Sequence, residues 1–533
     1  MLLLTLASFF ARAEVRLPKV LSDHMVLQRN APIHLWGWAA PGERVTATLN
    51  SASGSATAST LGQWSLYLPA EPAGGPYSLT LAGSNTITLA DVLIGDVWVA
   101  SGQSNMELPL EGFPGQAYLK NAAAEIAGAN QPEIRLLQVE HTSSPLPMRD
   151  IGVPASPALS ASGSSAGSSS GSSSGSAVVS SSAWTRCTPE TAKSFSAVAY
   201  LFGREIAQRE RVPIGLIDST WGGTPAAAWV SLEALSSDAG LMPVFALRAD
   251  MMEEQADLPL QLAKEKREDE AARAAGQPPP VHPWRPDPTS WAPGQLFNGM
   301  IAPLTPLSIK GVLWYQGESD SPLAWASIYD RVFPALIADW RDQWQQGDFP
   351  FLYVQISSFL SDSTASWGTI RDAQRRALST ANTAMAVSLD VGNPENVHPA
   401  DKQTVAARLA LAARANAYGE AVEDAGPLFR QAAIEDATMR VWFDHASGLF
   451  ARGGTAEGFE VAGDDGRYVA ATARIEGATV LVSSAQVPQP RYVRYAWANA
   501  PQANLYNAAG LPASTFTSEC RAMAEGRARS CAP

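Results

Sequence analysis

The chain has 533 residues, enough for two to four domains at roughly 100–200 residues each, so its core needs no disulfide or metal staple. Lys and Arg number 38 against 51 Asp and Glu, and the net charge of −13, with no basic patch, argues against nucleic acid as a partner. Hydrophobic residues make up 46% and charged ones 17%, a globular balance, while 16 Trp against 12 Tyr suggest either large aromatic cores or stacking on sugar faces.

Residues 1–10 are a short apolar run, and Ala11-Arg12-Ala13 is a small-x-small cleavage site, so residues 1–13 read as a signal-peptide remnant and the protein as periplasmic or secreted. A buried first strand is the alternative. No later run reaches 18 apolar residues, so no membrane span is expected. From 14 to 90, short β-rich runs such as IHLWGW at 33–38 and RVTATL at 44–49 alternate with turn residues, a β-sandwich pattern.

Beyond residue 90 the period changes. Continuous apolar runs at 93–100, 213–217, 309–315, 349–356 and 383–389 predict strands buried on both faces, hence a parallel sheet. Between them lie amphipathic stretches. At 327–344, Tyr329, Val332, Phe333, Leu336, Ile337, Trp340 and Trp344 share one helical face. Strand and helix in alternation predict a doubly wound α/β domain in two parts, 91–230 and 291–425. Two insertions interrupt it. Residues 161–176 are almost pure Ser and Gly, a flexible surface loop; 231–290 form a helical insertion whose KEKREDE run at 264–270 is a solvated face or a lid. Alternating β pattern returns over 426–533, either packing with 14–90 as one jelly-roll-like unit or forming a separate module. Of three Cys, Cys520 and Cys531 are spaced to pair in an oxidising compartment, leaving Cys187 single; the spacings fit no zinc motif.

Chemistry gathers at predicted strand ends. SGQSNM at 101–106 puts Ser104 where a nucleophile sits in an open α/β sheet, although Met106 replaces the second glycine of a nucleophile elbow and a helix-capping role is the plain alternative. DSTWGGT at 218–224 offers glycine N–H groups, and WYQGESD at 314–320 offers the Gln316 carboxamide; such donors stabilise an acyl-transfer oxyanion by roughly 3–4 kcal/mol each. DVGNPENVHP at 390–399 supplies His398, which alone among the six His follows a core strand and opens a helix. His24, His34, His141, His282 and His445 read as structural or surface residues. Glu395, three residues before His398, is the orienting carboxylate, with Asp390 in reserve and a Ser-His dyad as the third option.

Taken together, GQSNM at 102–106, WGGT at 221–224, WYQGE at 314–318 and His398-Pro399 resemble, in this order, the SGNH hydrolase blocks of sialate O-acetylesterase-like carbohydrate esterases. The resemblance extends to 17–29, 195–202 and 296–304 and covers nearly the whole chain outside the insertions. It implies an SGNH-type α/β sheet with flanking β-sandwich regions. It also implies a Ser104 nucleophile with His398 as base, and an oxyanion hole from the Ser104 and Gly222 N–H groups and the Gln316 side chain. Gln316 stands where the superfamily name places Asn, and the positions two and three before His398, where family members commonly carry Asp, hold Asn396 and Glu395. Arg371 and Gln374 also resemble a family motif, which helix packing explains equally well. The implied activity is removal of O-acetyl groups from an oligosaccharide or polysaccharide through an acyl-enzyme, with no metal or organic cofactor. A plant hemicellulose such as xyloglucan or xylan is the expected substrate. The alternatives are a sialate 9-O-acetylesterase and a catalytically decayed carbohydrate-binding protein.

Overall fold

The computed structural model describes residues 14–113, 119–152, 182–280, 282, 285–361 and 364–519. Its central strands are β1 (Thr86–Gly102), β2 (Gln131–Gln138), β3 (Thr185–Cys187), β4 (Ile214–Thr220), β5 (Gly311–Tyr315), β6 (Phe351–Gln355) and β7 (Thr383–Val387). They lie in the order β7-β6-β5-β1-β4-β2-β3. All neighbours run parallel except β2 and β3, which are antiparallel. The expected parallel sheet is thus corrected to a mixed one. β1 is the second reason: its first half pairs antiparallel with Gly74–Ala82, while from Asp96 onward it pairs in parallel with β4. Burial changes along the same strand, from half-exposed alternation near Thr86 to complete burial over its last eleven residues. One strand therefore joins the N-terminal β-region to the central sheet.

From β1 the chain fills one side of the sheet with β2, β3 and β4, then crosses to the other with β5, β6 and β7. The carboxyl end of β1 is the switch point, where open α/β sheets form their crevice. Helices cover both faces. Trp314 packs against Phe333 and Trp340 of the Leu323–Trp344 helix, whereas the next residue, Tyr315, has the Lys402 ammonium 5.1 Å from its ring on the Lys402–Asn416 helix. Successive strand residues point to opposite faces, so the two helices lie on opposite sides. The seven apolar positions expected on one face of the 323–344 helix are all buried. Much of the tryptophan serves this core: Trp98, Trp229, Trp314, Trp340 and Trp367 are fully buried, which takes away most of the compositional hint of sugar stacking.

At the N-terminal end, Ile33–Trp38 pairs with Gln63–Leu68, and Arg44–Leu49 lies between Ala52–Thr57 and Gly74–Ala82. Asp96 of β1 ties this region to the sheet, accepting two bonds from the Arg29 guanidinium (2.9 and 2.8 Å) and one from Gln28 (3.0 Å). At the C-terminal end two four-stranded antiparallel sheets close on Phe516, which stacks on Phe429 at 4.4 Å and meets Phe443 edge-on. Among the described residues no strand of 14–85 pairs with a strand of 426–519. The helical insertion is three helices, Leu232–Ser237, Pro243–Glu254 and Leu258–Ala274, and the last buries no side chain, as a solvated charge run should. Among the described residues no helix is long and apolar enough to cross a membrane. Cys187 is buried and unpaired. The proposed leader at 1–13, the Ser/Gly run at 161–176, and Cys520 and Cys531 lie outside the described residues.

Candidate active site

Three neighbouring strand ends build the site. β1 ends in Gly102, whose φ of +126° suits glycine and where a Cβ would stand 2.3 Å from the Tyr315 carbonyl oxygen. This close approach lets the Gln103 N–H donate to the Tyr315 oxygen (3.0 Å) and the Trp221 N–H donate to the Gly102 oxygen (3.1 Å), so the ends of β1, β5 and β4 are stitched together. The chain then enters a single helical turn, Ser104–Glu107. Ser104 Oγ lies 2.8 Å from His398 Nε2, although 294 residues separate them. Phe113 stands edge-on to the His398 ring at 5.5 Å. Gly222 presses against the same turn, where a Cβ would come within 3.3 Å of Ser104 Cβ.

The electrostatics suit a neutral base. Burial, and secondarily the Lys402 charge, pushes His398 down from 6.5 to about 4, with Glu107 opposing. The imidazole is therefore unprotonated near pH 7 and able to accept the Ser104 proton.

Two expected oxyanion donors are placed differently from expectation. The Gln316 carboxamide is fully buried, and its N–H groups go to the Thr224 carbonyl (3.1 Å) and the Asp320 carboxylate (2.5 Å), while its oxygen accepts from Tyr329 (3.1 Å). Both donors are spent inside the protein, so Gln316 is corrected from an oxyanion donor to an anchor of the Gly222 loop. Asp320, pushed up to about 7 by burial, holds the same loop through the Ala226 N–H at 2.9 Å. The Gly222 N–H does face the nucleophile turn, but it donates to Glu107 Oε2 at 2.5 Å. The other Glu107 oxygen is 3.1 Å from His141 Nε2, and the His141 ring stacks on Trp221 at 4.4 Å. Burial alone would lower His141, but the bond to Glu107 and its charge outweigh it and hold the imidazole above its usual value.

His141 and Glu107 thus lie beside the Ser104 turn, a placement that the sequence reading of His141 as structural or surface did not anticipate. The signal was positional: His141 lies three residues beyond β2, at the same sheet edge as Ser104 and Gly222. Glu395 is exposed and its backbone N–H donates to Asn393 Oδ1 (2.9 Å), and among the described residues no ion pair joins it to His398. Asp390, the reserve, is held bidentately by Arg408 at 2.6 and 2.8 Å. Removing the acid that orients a catalytic histidine costs about 10⁴-fold in kcat, so Glu395→Gln, measured by steady-state acetate release, is expected to cost less than about tenfold. Glu423, Asp424 and His445 bring ligand atoms within 4.8 Å of one another, and a cavity of about 300 Å³ nearby is lined by Asn416, Asp424 and His445; neither includes a residue of the Ser104 group.

A family model described as carbohydrate esterase, sialic acid-specific acetylesterase, matches residues 283–415. The sialate O-acetylesterase of Homo sapiens is 32% identical over 447 residues, 76% of this chain and 71% of that protein. This chain belongs to the sialate O-acetylesterase family. The sialate O-acetylesterase of Rattus norvegicus is 31% identical over 463 residues, covering 79% of this chain and 77% of its own. A crystal structure of a carbohydrate acetylesterase from Xanthomonas citri is 33% identical and superposes with a TM-score of 0.76, covering 95% of this chain and 99% of that one. The chain is accordingly an acetylesterase, and the binding-only alternative falls.

Proposed function

We propose that this acetylesterase acts in the periplasm or outside the cell, removing O-acetyl groups from a glycan at an SGNH-type serine centre. The observation that carries the reading is the 2.8 Å contact between Ser104 Oγ and His398 Nε2 at the sheet's switch point. Ser104 attacks the acetyl carbonyl while His398 takes its proton; the imidazolium returns that proton to the departing sugar hydroxyl, leaving acetyl-Ser104. Water, deprotonated by His398, then releases acetate. The oxyanion is received by the Ser104 N–H, in the first turn of the helix, and by the Gly222 N–H once the Glu107 carboxylate turns away from it.

A neutral acetylated hemicellulose such as xyloglucan or xylan fits the surroundings. An anionic sugar needs a cation for its carboxylate, and the charged side chains described beside Ser104 are Glu107 and its partner His141, with Lys402 buried behind Asn105. The curated relatives' names support the second reading, an acetylated sialate. Acetate release from acetylated xyloglucan, acetylated xylan and 9-O-acetyl sialic acid, measured in parallel by NMR, separates them. Turnover of a plant oligosaccharide is the expected result, and turnover of the sialate alone overturns the hemicellulose reading.

A further inference from the structure

Asn105, the residue after the nucleophile, is fully buried and all of its carboxamide is in use. Its Nδ2 donates to Glu318 Oε1 at 2.6 Å and to the Val397 carbonyl at 3.0 Å, and its Oδ1 accepts from Lys402 Nζ at 2.5 Å. Val397 immediately precedes His398, and Lys402 opens the helix four residues after it. The chain on both sides of the base is therefore fastened to the residue beside the nucleophile. Lys402 is 1% exposed, an unusual place for an ammonium, and its compensation is the Asn105 oxygen, the Tyr315 ring 5.1 Å away and the Glu318 charge beyond Asn105. A merely structural position is better filled by an apolar side chain of this length, since burying an ammonium is costly.

We propose that Lys402 is a positioning residue for the acyl transfer: through Asn105 it holds the His398 segment against Ser104, and its charge adds to burial in favouring the proton-accepting form of His398. The inference rests on the Ser104–His398 reading above. His398 accepts a proton only when neutral, so activity is present above its pKa and is lost as pH falls through it. Among the described residues, burial lowers that pKa most, the Lys402 charge lowers it further and the Glu107 charge raises it. Burial brings Lys402 itself down to about 7, with Glu318 opposing, so the ammonium form dominates across the acid limb. Removing the positive charge must move that limb toward higher pH.

Lys402→Met removes bond and charge together, whereas Lys402→Gln keeps a donor but no charge and remains readable if the methionine form folds poorly. With both variants checked by circular dichroism, kcat/KM is measured against pH on an acetylated substrate. The expected result is a kcat loss of about 100-fold for Lys402→Met with KM little changed, and a smaller loss for Lys402→Gln. In both, the acid limb moves up by about half a unit or more. A folded variant whose acid limb stays at the wild-type position overturns the proposal, whatever its kcat. Ser104→Ala run alongside separates the two failures: if it retains turnover, the serine centre is wrong, and if it is inactive while Lys402→Gln and Lys402→Met behave like wild type, only the role of Lys402 is wrong.

Discussion

Ser104→Ala is expected to lower kcat by at least about 10⁴-fold while leaving the melting temperature within a degree or two of wild type. The substitution deletes one oxygen. That oxygen's described partner is His398 Nε2, and the Cβ that packs near Gly222 is kept, so neither the core nor the Ser104–Glu107 turn loses a contact. What disappears is the oxygen placed beside His398 to form the acetyl-enzyme. Because a serine centre works as a unit, adding His398→Ala to Ser104→Ala should cost little more, and that non-additivity distinguishes a shared step from two independent binding effects. Steady-state acetate release on the single and double variants makes the comparison. Wild-type turnover by Ser104→Ala would remove the mechanism altogether.

Readability from sequence followed the physics of each segment. The five long apolar runs all became central strands, because a strand buried on both faces must be apolar at every position and little else produces that pattern. Their carboxyl ends then placed Ser104, Gly222, Gln316 and His398 on one edge of the sheet. β2 was missed for the same reason inverted: Pro132, Glu133 and Arg135 interrupt its pattern, and the buried Arg135 is compensated by local carbonyls together with Asp91 from a distant segment. With β2 went His141, since a histidine after an unrecognised strand carries no positional signal.

Roles were less legible than positions. Gln316 was rightly placed at a strand end, but the direction of a carboxamide depends on acceptors such as Thr224 and Asp320 that only the fold supplies. Glu395 matched a spacing, yet three residues of irregular loop do not fix where a side chain points. The tryptophan count misled because composition cannot separate an indole that packs a core from one that faces a sugar. In each case the missing information was a contact between segments far apart in the chain.

Arg371→Met is expected to destabilise the protein by about 1–3 kcal/mol. Arg371 is completely buried in the Trp367–Arg376 helix, and among the described residues no carboxylate pairs with it. Its guanidinium instead donates to the carbonyl oxygens of Ala496 (3.1 Å), Ala498 and Asn499 (3.3 Å). Burial pushes it down to about 9, so at neutral pH the group stays charged and these are charge-assisted bonds. Methionine relieves the cost of burying the charge but removes three charge-assisted bonds, while the Ala496 oxygen keeps the Thr515 hydroxyl (3.1 Å) and the Asn499 oxygen keeps the Phe359 N–H (3.2 Å), so the loss is that of the bonds themselves. The loop that carries these oxygens is also packed tightly on the helix, since a Cβ on Gly368 would lie 2.3 Å from the Trp497 carbonyl oxygen. The three lost bonds outweigh the relieved charge. The same helix carries Gln374, whose side chain accepts from the Ile356 N–H (3.0 Å) and donates to the Gln316 carbonyl (2.9 Å), so loosening it reaches the anchor of the Gly222 loop. Thermal denaturation followed by circular dichroism should show the loss, and activity should fall on warming well before it falls at low temperature. A melting temperature equal to wild type would mean that the 496–499 loop is held by packing alone and that the Arg371 bonds contribute nothing net.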